Sequence, residues 1–293
     1  MTDYDFITEV NEYFDVLGLD KSKNTIVSYR NAVKKFFDFL DVKSFGDIRN
    51  ITSKDCRSYQ AFLKDNGLQP SSANANVRPL KVLFNWLVEN EYLDSSPFNK
   101  VKYIKEPKRE KDILTEEETF AIVQACDRLE DKVIIAILLT TGLRRDEITS
   151  LRLEDYHKCH IQVIGKGDKQ RTLILHDSVC ELLNNYIKIR NRKYKNEDSW
   201  IFISKNGGRF TGEAIRLKVK KAMLNAGIDE ERIKKLSVHT LRHTFTANLL
   251  ESGADIRVAQ KALGHGNIET TMRYAHLRNS ALDKAMLNTK TVL

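Results

Sequence analysis

Leu263–His276 reads LGHGNIETTMRYAH, and the order of its side chains decides how the rest of the chain is read. One short helical stretch, Gly264 to His276, carries both His265 and Tyr274, nine residues apart. Upstream lie His239-Thr-Leu-Arg242-His243 and Thr141-Gly-Leu-Arg144-Arg-Asp-Glu147. Arginines, histidines and one tyrosine delivered by three separate segments suit phosphoryl transfer, because a phosphodiester anion needs fixed positive charge and a covalent route needs a nucleophile. A helical tyrosine is ordinarily a core or interface residue. The flanks of Tyr274 (Thr270, Thr271, Arg273 and His276) are polar instead. A phenol of pKa about 10 attacks well only if its proton leaves as the bond forms and the phosphate charge is neutralised.

The supporting residues each have a bland reading beside the sharp one. In the helix expected from Val238 to Ser252, Val238, Leu241, Phe245 and Leu249 form the apolar stripe. His239 and Arg242, three apart, neighbour each other on an adjacent face. A histidine at a helix start is usually a cap or surface residue, and the arginine at fixed spacing beside a buried stripe is what sharpens it. Arg144 follows Thr141-Gly142, where Gly142 is suited to a left-handed helix cap. Glu147, three residues on, is placed to hold that arginine, or to form an ordinary surface ion pair. Lys166 tips a hairpin, His160–Ile164 to Arg171–Leu175, through the turn Gly165-Lys-Gly-Asp168. Such a turn is commonly just solvated, and the spacing is not that of a P-loop.

Two helical blocks meet around Lys102–Asp112, where Pro107 and a charge-dense run interrupt the pattern. The expected divisions are residues 1–101, a linker over 102–112, and 113–293. In the first block Asn24 or Thr25 can cap a helix that buries Ile26, Tyr29, Val33, Phe36, Phe37 and Leu40. Arg30, Lys34 and Lys35 fall off that face. A second helix starts at Ser71 or Ser72 with Val77, Leu80, Phe84 and Leu87, and Pro79 inside it predicts a kink or a late start. Arg78 lies off its apolar positions. Helices near Phe6–Leu17 and Ser53–Asp65 complete a four-helix unit. The second block opens on Thr115-Glu-Glu-Glu118, a capping-box spacing. Helices are expected through Leu129 and over Asp131–Thr140, then the hairpin, a third strand at Trp200–Ser204, and helices at Glu213–Ala226, Val238–Ser252, Ile256–Leu263 and Thr270–His276.

Composition narrows the class without deciding it. The 293 residues are 41% hydrophobic and 30% charged, with four prolines and thirteen glycines, which favours long helices. The longest apolar run, Val133–Leu139, is a helix core rather than a membrane span. The start, MTDYDFITEV, is acidic and unlike a signal peptide, so the default compartment is the cytoplasm. Cys56, Cys126, Cys159 and Cys180 are scattered and suggest no disulfide framework; His157-Lys-Cys159-His160 is a metal fragment without a second cluster. The net charge of +8 favours a polyanionic partner. Residues 1–105 carry 15 Lys and Arg against 14 Asp and Glu, so nearly all of the excess lies beyond them.

These segments resemble, in content and order, the motifs of the tyrosine recombinases, the integrase and Xer family. The H-x-x-R pair, the R-x-x-E pair, the hairpin lysine and the histidine–tyrosine stretch all match. NTIVSYRNAVKKFFDFL and VRPLKVLFNWLVENEYLDSSPF look like that family's core-binding domain. The resemblance implies a mainly α fold with a small sheet: an N-terminal SAM-like four-helix core-binding domain, then an α+β catalytic domain. It implies Arg144, Lys166, His239, Arg242, His265 and Tyr274 as the catalytic set, with Glu147 and His243 supporting. Tyr274 would form a 3′-phosphotyrosyl bond and Lys166 would protonate the departing 5′ oxygen. Bond energy stays in the covalent link, so no ATP, metal or other cofactor is implied.

The partner so implied is double-stranded DNA, bound as a tetramer on two sites. Arg216, Lys218 and Lys221 on the helix Glu213–Ala226 are candidate phosphate contacts, with Arg145 expected to point outward and Arg30, Lys34 and Arg78 joining from the first block. The tail Ala281–Leu293, with Leu282, Ala285 and Met286, either folds back or docks on a neighbouring protomer. Because the first block begins almost at Met1, a Xer-like enzyme resolving circular DNA dimers is favoured. A mobile-element integrase, a topoisomerase of the same chemistry and a catalytically silent DNA-binding regulator are the alternatives.

Overall fold

The computed structural model describes residues 7–107, 112–165, 170–194, 199–205 and 207–264. Lys166, His265, Tyr274, the expected helix at Thr270–His276 and the tail lie outside the described residues. The chain divides into two compact units, Met1–Lys108 and Arg109–Leu293.

The first unit comprises α1 (Thr8–Asp20), α2 (Lys23–Leu40), α3 (Phe45–Asn50), α4 (Ser53–Asp65) and α5 (Pro70–Glu89). The cap of α2 is Ser22 rather than Asn24 or Thr25: its hydroxyl accepts from the Thr25 N–H at 3.3 Å, and the helix begins at Lys23, two residues earlier than a cap at Asn24 would give. α3 is a helix the spacing reading did not anticipate. Ser44 and Asp47 close a capping box around it, so the unit has five helices rather than four among the described residues. α5 does not start late. Pro70 occupies its first turn, where the missing N–H costs nothing, and the helix runs on through Pro79. Helices α1, α2, α4 and α5 surround a core in which Phe36, Tyr59, Phe84 and Phe98 meet, with ring centroids 5.0–6.2 Å from Phe36.

The second unit opens with α6 (Glu116–Gln124), capped by the Thr115–Glu118 box, and α7 (Leu129–Thr141). Every residue from Val133 to Leu139 is buried, so α7 is wrapped on all sides, packing on α9 and α12 below. After α8 (Arg145–Thr149) come β1 (Tyr156–His157), β2 (His160–Ile164) and β3 (Gln170–Ile174), an antiparallel sheet in that order. β2 and β3 pair from His160↔Ile174 to Ile164↔Gln170, turning Ile161, Val163 and Leu173 inward. The third strand is therefore Tyr156–His157, not Trp200–Ser204. That later segment makes only isolated bridges, Arg152↔Trp200 and Ile203↔Arg209, and lends its backbone to the loop at Leu151–Leu153. Helices α9 (Asp177–Lys193), α10 (Gly212–Asn225), α11 (Glu230–Ile233), α12 (Val238–Glu251) and α13 (Ile256–Leu263) complete the unit.

Cys159 and Cys180 form a disulfide, with Cα atoms 5.3 Å apart, which corrects the expectation from their spacing. The β1–β2 turn, with Lys158 and Cys159 at φ of 44° and 64°, folds Cys159 back onto the first turns of α9. Linear separation says nothing about that proximity. With its sulfur so bonded, Cys159 is not a ligand for the His157–His160 fragment.

Candidate functional site

Helix α7 ends at Gly142, whose φ of 62° is the left-handed cap expected of it. A side chain there is excluded twice over, since a Cβ would lie 2.4 Å from the Phe245 ring of α12. This close approach sets α12 against the α7–α8 turn. Arg242 on α12 then points into the unit and not across its surface: it is 6% exposed. Its guanidinium donates to the carbonyl oxygens of Gly142 at 2.5 Å and Leu263 at 2.7 Å. The apolar-stripe reading had put Arg242 on a face beside the core. It is buried where two backbone carbonyls at element ends accept from it.

Arg144 is the residue before α8, one-third exposed. Its Nη1 donates to Glu147 at 2.8 Å and its Nη2 to the Gly264 carbonyl at 3.1 Å, while its backbone N–H donates to Glu147 at 2.7 Å. Glu147 is 7% exposed, so the pair is no ordinary surface bridge. A second arginine reaches the same carboxylate. Arg171 of β3, 9% exposed, forks both Glu147 oxygens at 3.0 and 2.8 Å and donates through Nε to the Ala262 carbonyl at 2.9 Å. Burial pushes the Glu147 pKa up, but hydrogen bonds from Arg171 and Arg144 outweigh it and hold the carboxyl below its ordinary value.

Three consecutive carbonyls, Ala262, Leu263 and Gly264, thus receive Arg171, Arg242 and Arg144 in turn. They are the last acceptors of α13, at the negative end of its dipole, where cations are favoured. Sequence reading anticipated Arg144, Arg242 and Glu147 but not Arg171, which entered it as the start of the returning strand. A usable signal existed: Arg171, Leu173 and Leu175 alternate onto one side, and an arginine opposite buried Val163 calls for a partner.

His239 keeps an exposed edge at the start of α12. Partial desolvation, then the nearby charges of Arg242, Arg145 and Arg144, lower its pKa from the ordinary 6.5 against a weaker pull from Asp146. The imidazole is therefore neutral at pH 7 and able to accept a proton. His243, one turn along α12, is half-buried.

The expected DNA-facing cations divide into two kinds. Arg145 does not extend freely outward: it is half-buried, 3.3 Å from Asp146, and lies over Gly212 so closely that a Cβ there would sit 2.4 Å from its Nε. Lys218 is only 15% exposed and bonds Glu130 at 2.8 Å and Asp131 at 2.5 Å, so its charge is already neutralised within the unit. Arg216 and Lys221 are exposed, paired with Glu213 at 2.6 Å and Asp127 at 2.9 Å. In the first unit Arg78 is exposed, Lys34 lies 3.6 Å from Asp38, and Arg30 sits 4.3 Å over the Phe14 ring. Among the described residues no group of three or more His, Cys, Asp or Glu side chains could hold a metal ion.

A mainly helical unit with one small antiparallel sheet thus gathers three arginines at the end of one helix, with His239 within electrostatic reach of Arg144 and Arg242. The chain belongs to the phage integrase family, which it matches over residues 112–281, with the family's N-terminal SAM-like domain over 10–91. It is an Xer-like tyrosine recombinase, an enzyme of DNA strand cleavage and rejoining. It is 30% identical to tyrosine recombinase XerD of Staphylococcus saprophyticus, over 94% of this chain and 96% of that one. The crystal structure of XerA recombinase shares 28% identity at a TM-score of 0.55, covering 97% of this chain and 99% of that chain. XerH recombinase bound to a palindromic difH substrate has the same fold, with a TM-score of 0.75 at 23% identity over 89% of this chain and 79% of that chain. Among the described residues no helix is long and apolar enough to cross a membrane.

Proposed function

We propose that this recombinase acts on double-stranded DNA in the cytoplasm, as a tetramer on two sites, with Tyr274 as nucleophile. The supporting observation is the convergence of Arg144 and Arg242, from the α7–α8 turn and α12, on the carboxyl end of α13, one residue before His265, with His239 close enough to feel both charges. Arg144 and Arg242 neutralise the scissile phosphate, and His265 adds a donor. Charge that develops on the non-bridging oxygens of the transition state is met by groups already held in place, so little reorganisation is needed. His239, neutral at pH 7, takes the phenolic proton as Tyr274 attacks phosphorus. The bond to the 5′ oxygen breaks, Lys166 protonates that oxygen, and the DNA is left on Tyr274 through its 3′ phosphate. The reverse steps reseal the strands after exchange. Residues 1–101 serve as the core-binding domain and 113–293 as the catalytic domain, and the tail from Ala281 docks on a neighbouring protomer.

The test is a nicked duplex carrying a sequence that the full-length protein selects from a random DNA pool. Denaturing electrophoresis should show a covalent adduct whose mapped protein residue is Tyr274. Tyr274→Phe should bind the duplex and form none. An adduct that persists in Tyr274→Phe contradicts the assignment.

A further inference from the structure

Arg171 has an arrangement that neither charge balance nor a surface ion pair explains. Glu147 has two carboxylate oxygens and four donors: Oε1 accepts from Arg144 Nη1 and Arg171 Nη1, and Oε2 from the Arg144 backbone N–H and Arg171 Nη2. Half of the support of a buried anion thus comes from β3, 24 residues along the chain. The third nitrogen of the same guanidinium holds the Ala262 carbonyl in the last turn of α13. A Cβ on Gly264 would lie 2.9 Å from Arg171 Nη1, so the chain leaves α13 in contact with this side chain. Arg171 also follows Lys166 by five residues, on the strand returning from that hairpin turn. One planar group therefore joins the hairpin strand, the acid that orients Arg144, and the helix end that leads to His265.

We propose that Arg171 is a positioning residue for strand cleavage, clamping Glu147 to the end of α13 so that Arg144 and the segment entering His265 keep their reactive placement. The inference rests on the catalytic roles proposed above and extends them to a residue that touches no substrate. The geometry requires a fork. Lysine offers a single nitrogen, which cannot meet both Glu147 oxygens and the Ala262 carbonyl in one plane. A Glu147 left half-supported would swing to recover donors, and Arg144 would move with it.

The test uses the full-length protein on the selected nicked duplex, reading single-turnover adduct formation at saturating protein, DNA affinity and the melting temperature. Arg171→Lys, which keeps the charge and the fold, should bind DNA with parental affinity yet cleave on the order of 10- to 100-fold more slowly, the cost of misplacing a reacting group by about an ångström. Combining Arg171→Lys with Glu147→Gln should slow cleavage by clearly less than the product of the two single losses, because both act in part through Arg144. Parental cleavage by Arg171→Lys overturns the inference. So do losses that multiply in the double variant, or a fall in affinity and melting temperature that accounts for the rate. If the parent itself forms no adduct, or Tyr274→Phe forms the same one, the catalytic assignment fails first and the inference with it.

Discussion

Phe36, Tyr59, Phe84 and Phe98 fill the centre of the first unit, and among its described residues no charged side chain is buried. The second unit packs aliphatic residues along α7 and yet buries Glu147, Arg190 and Arg242. Desolvating a charge costs several kcal/mol unless each of its hydrogen-bonding groups is met, and such groups are seldom the cheapest way to fill a core. The first interior is thus organised for stability alone, whereas the second accepts a penalty to hold guanidinium groups in fixed directions. Arg190 marks the boundary of that lesson: it is the buried guanidinium that the proposed chemistry does not use, and it donates to the Trp200 carbonyl at 2.8 Å.

The contrast can be broken at several levels. Phe36→Ala should cost about 3–5 kcal/mol in urea unfolding, the usual price of emptying an aromatic site; a loss below 1 kcal/mol would show that the aromatic centre is not what holds the unit. Arg242→Ala should slow adduct formation on the order of 100-fold or more, as removal of a transition-state donor does. It should also leave the Gly142 and Leu263 carbonyls without that donor. Near-parental cleavage would mean that the buried arginine is only a helix cap.

Acid should separate the units as well. Glu147 has a folded pKa below its ordinary 4.5, so its contribution to stability is present above that value and lost as pH falls through the folded one. His239 also has a lowered folded pKa: the unfolded chain takes the proton first, so stability begins to fall as pH drops below 6.5. Cleavage, needing neutral His239, should persist to a more acidic pH than an unperturbed imidazole allows. A cleavage profile that falls off at or above pH 6.5 would contradict the neutral-base role.

The smallest expected effect concerns salt. Arg216→Ala should reduce the slope of log affinity against log salt by about 1, as losing one phosphate contact does. Lys218→Ala should leave that slope alone and lower stability instead, its amine being committed to Glu130 and Asp131. Equal slopes for the two variants would remove the distinction between exposed and buried ion-paired cations on α10.

What was legible in the sequence was local. The Gly142 cap, the Thr115–Glu118 box, the span Ile256–Leu263 and the Arg144–Glu147 pair all follow from spacings of three or four residues. What was missed was set by contacts across the fold. Arg242 seemed peripheral to its own helix stripe, but Gly142 and Leu263, 100 and 21 residues away, draw it inward. Trp200–Ser204 has strand composition, yet its backbone meets a loop rather than a strand edge. Cys180 faces Cys159 only once the β1–β2 turn has formed. Short α3 escaped for another reason: its Ser44–Asp47 box encloses too few apolar residues to show a period.

The central claim is that the arginines gathered at the end of α13 act by cancelling phosphate charge. Arg144, one-third exposed, is the one to remove, and the informative partner change is a neutral methylphosphonate at the scissile position of the selected duplex. Arg144→Ala should cleave the ordinary phosphate slowly and the uncharged linkage at close to the parental rate on that linkage. An equally severe defect on both substrates would show that Arg144 does not serve the phosphate's charge.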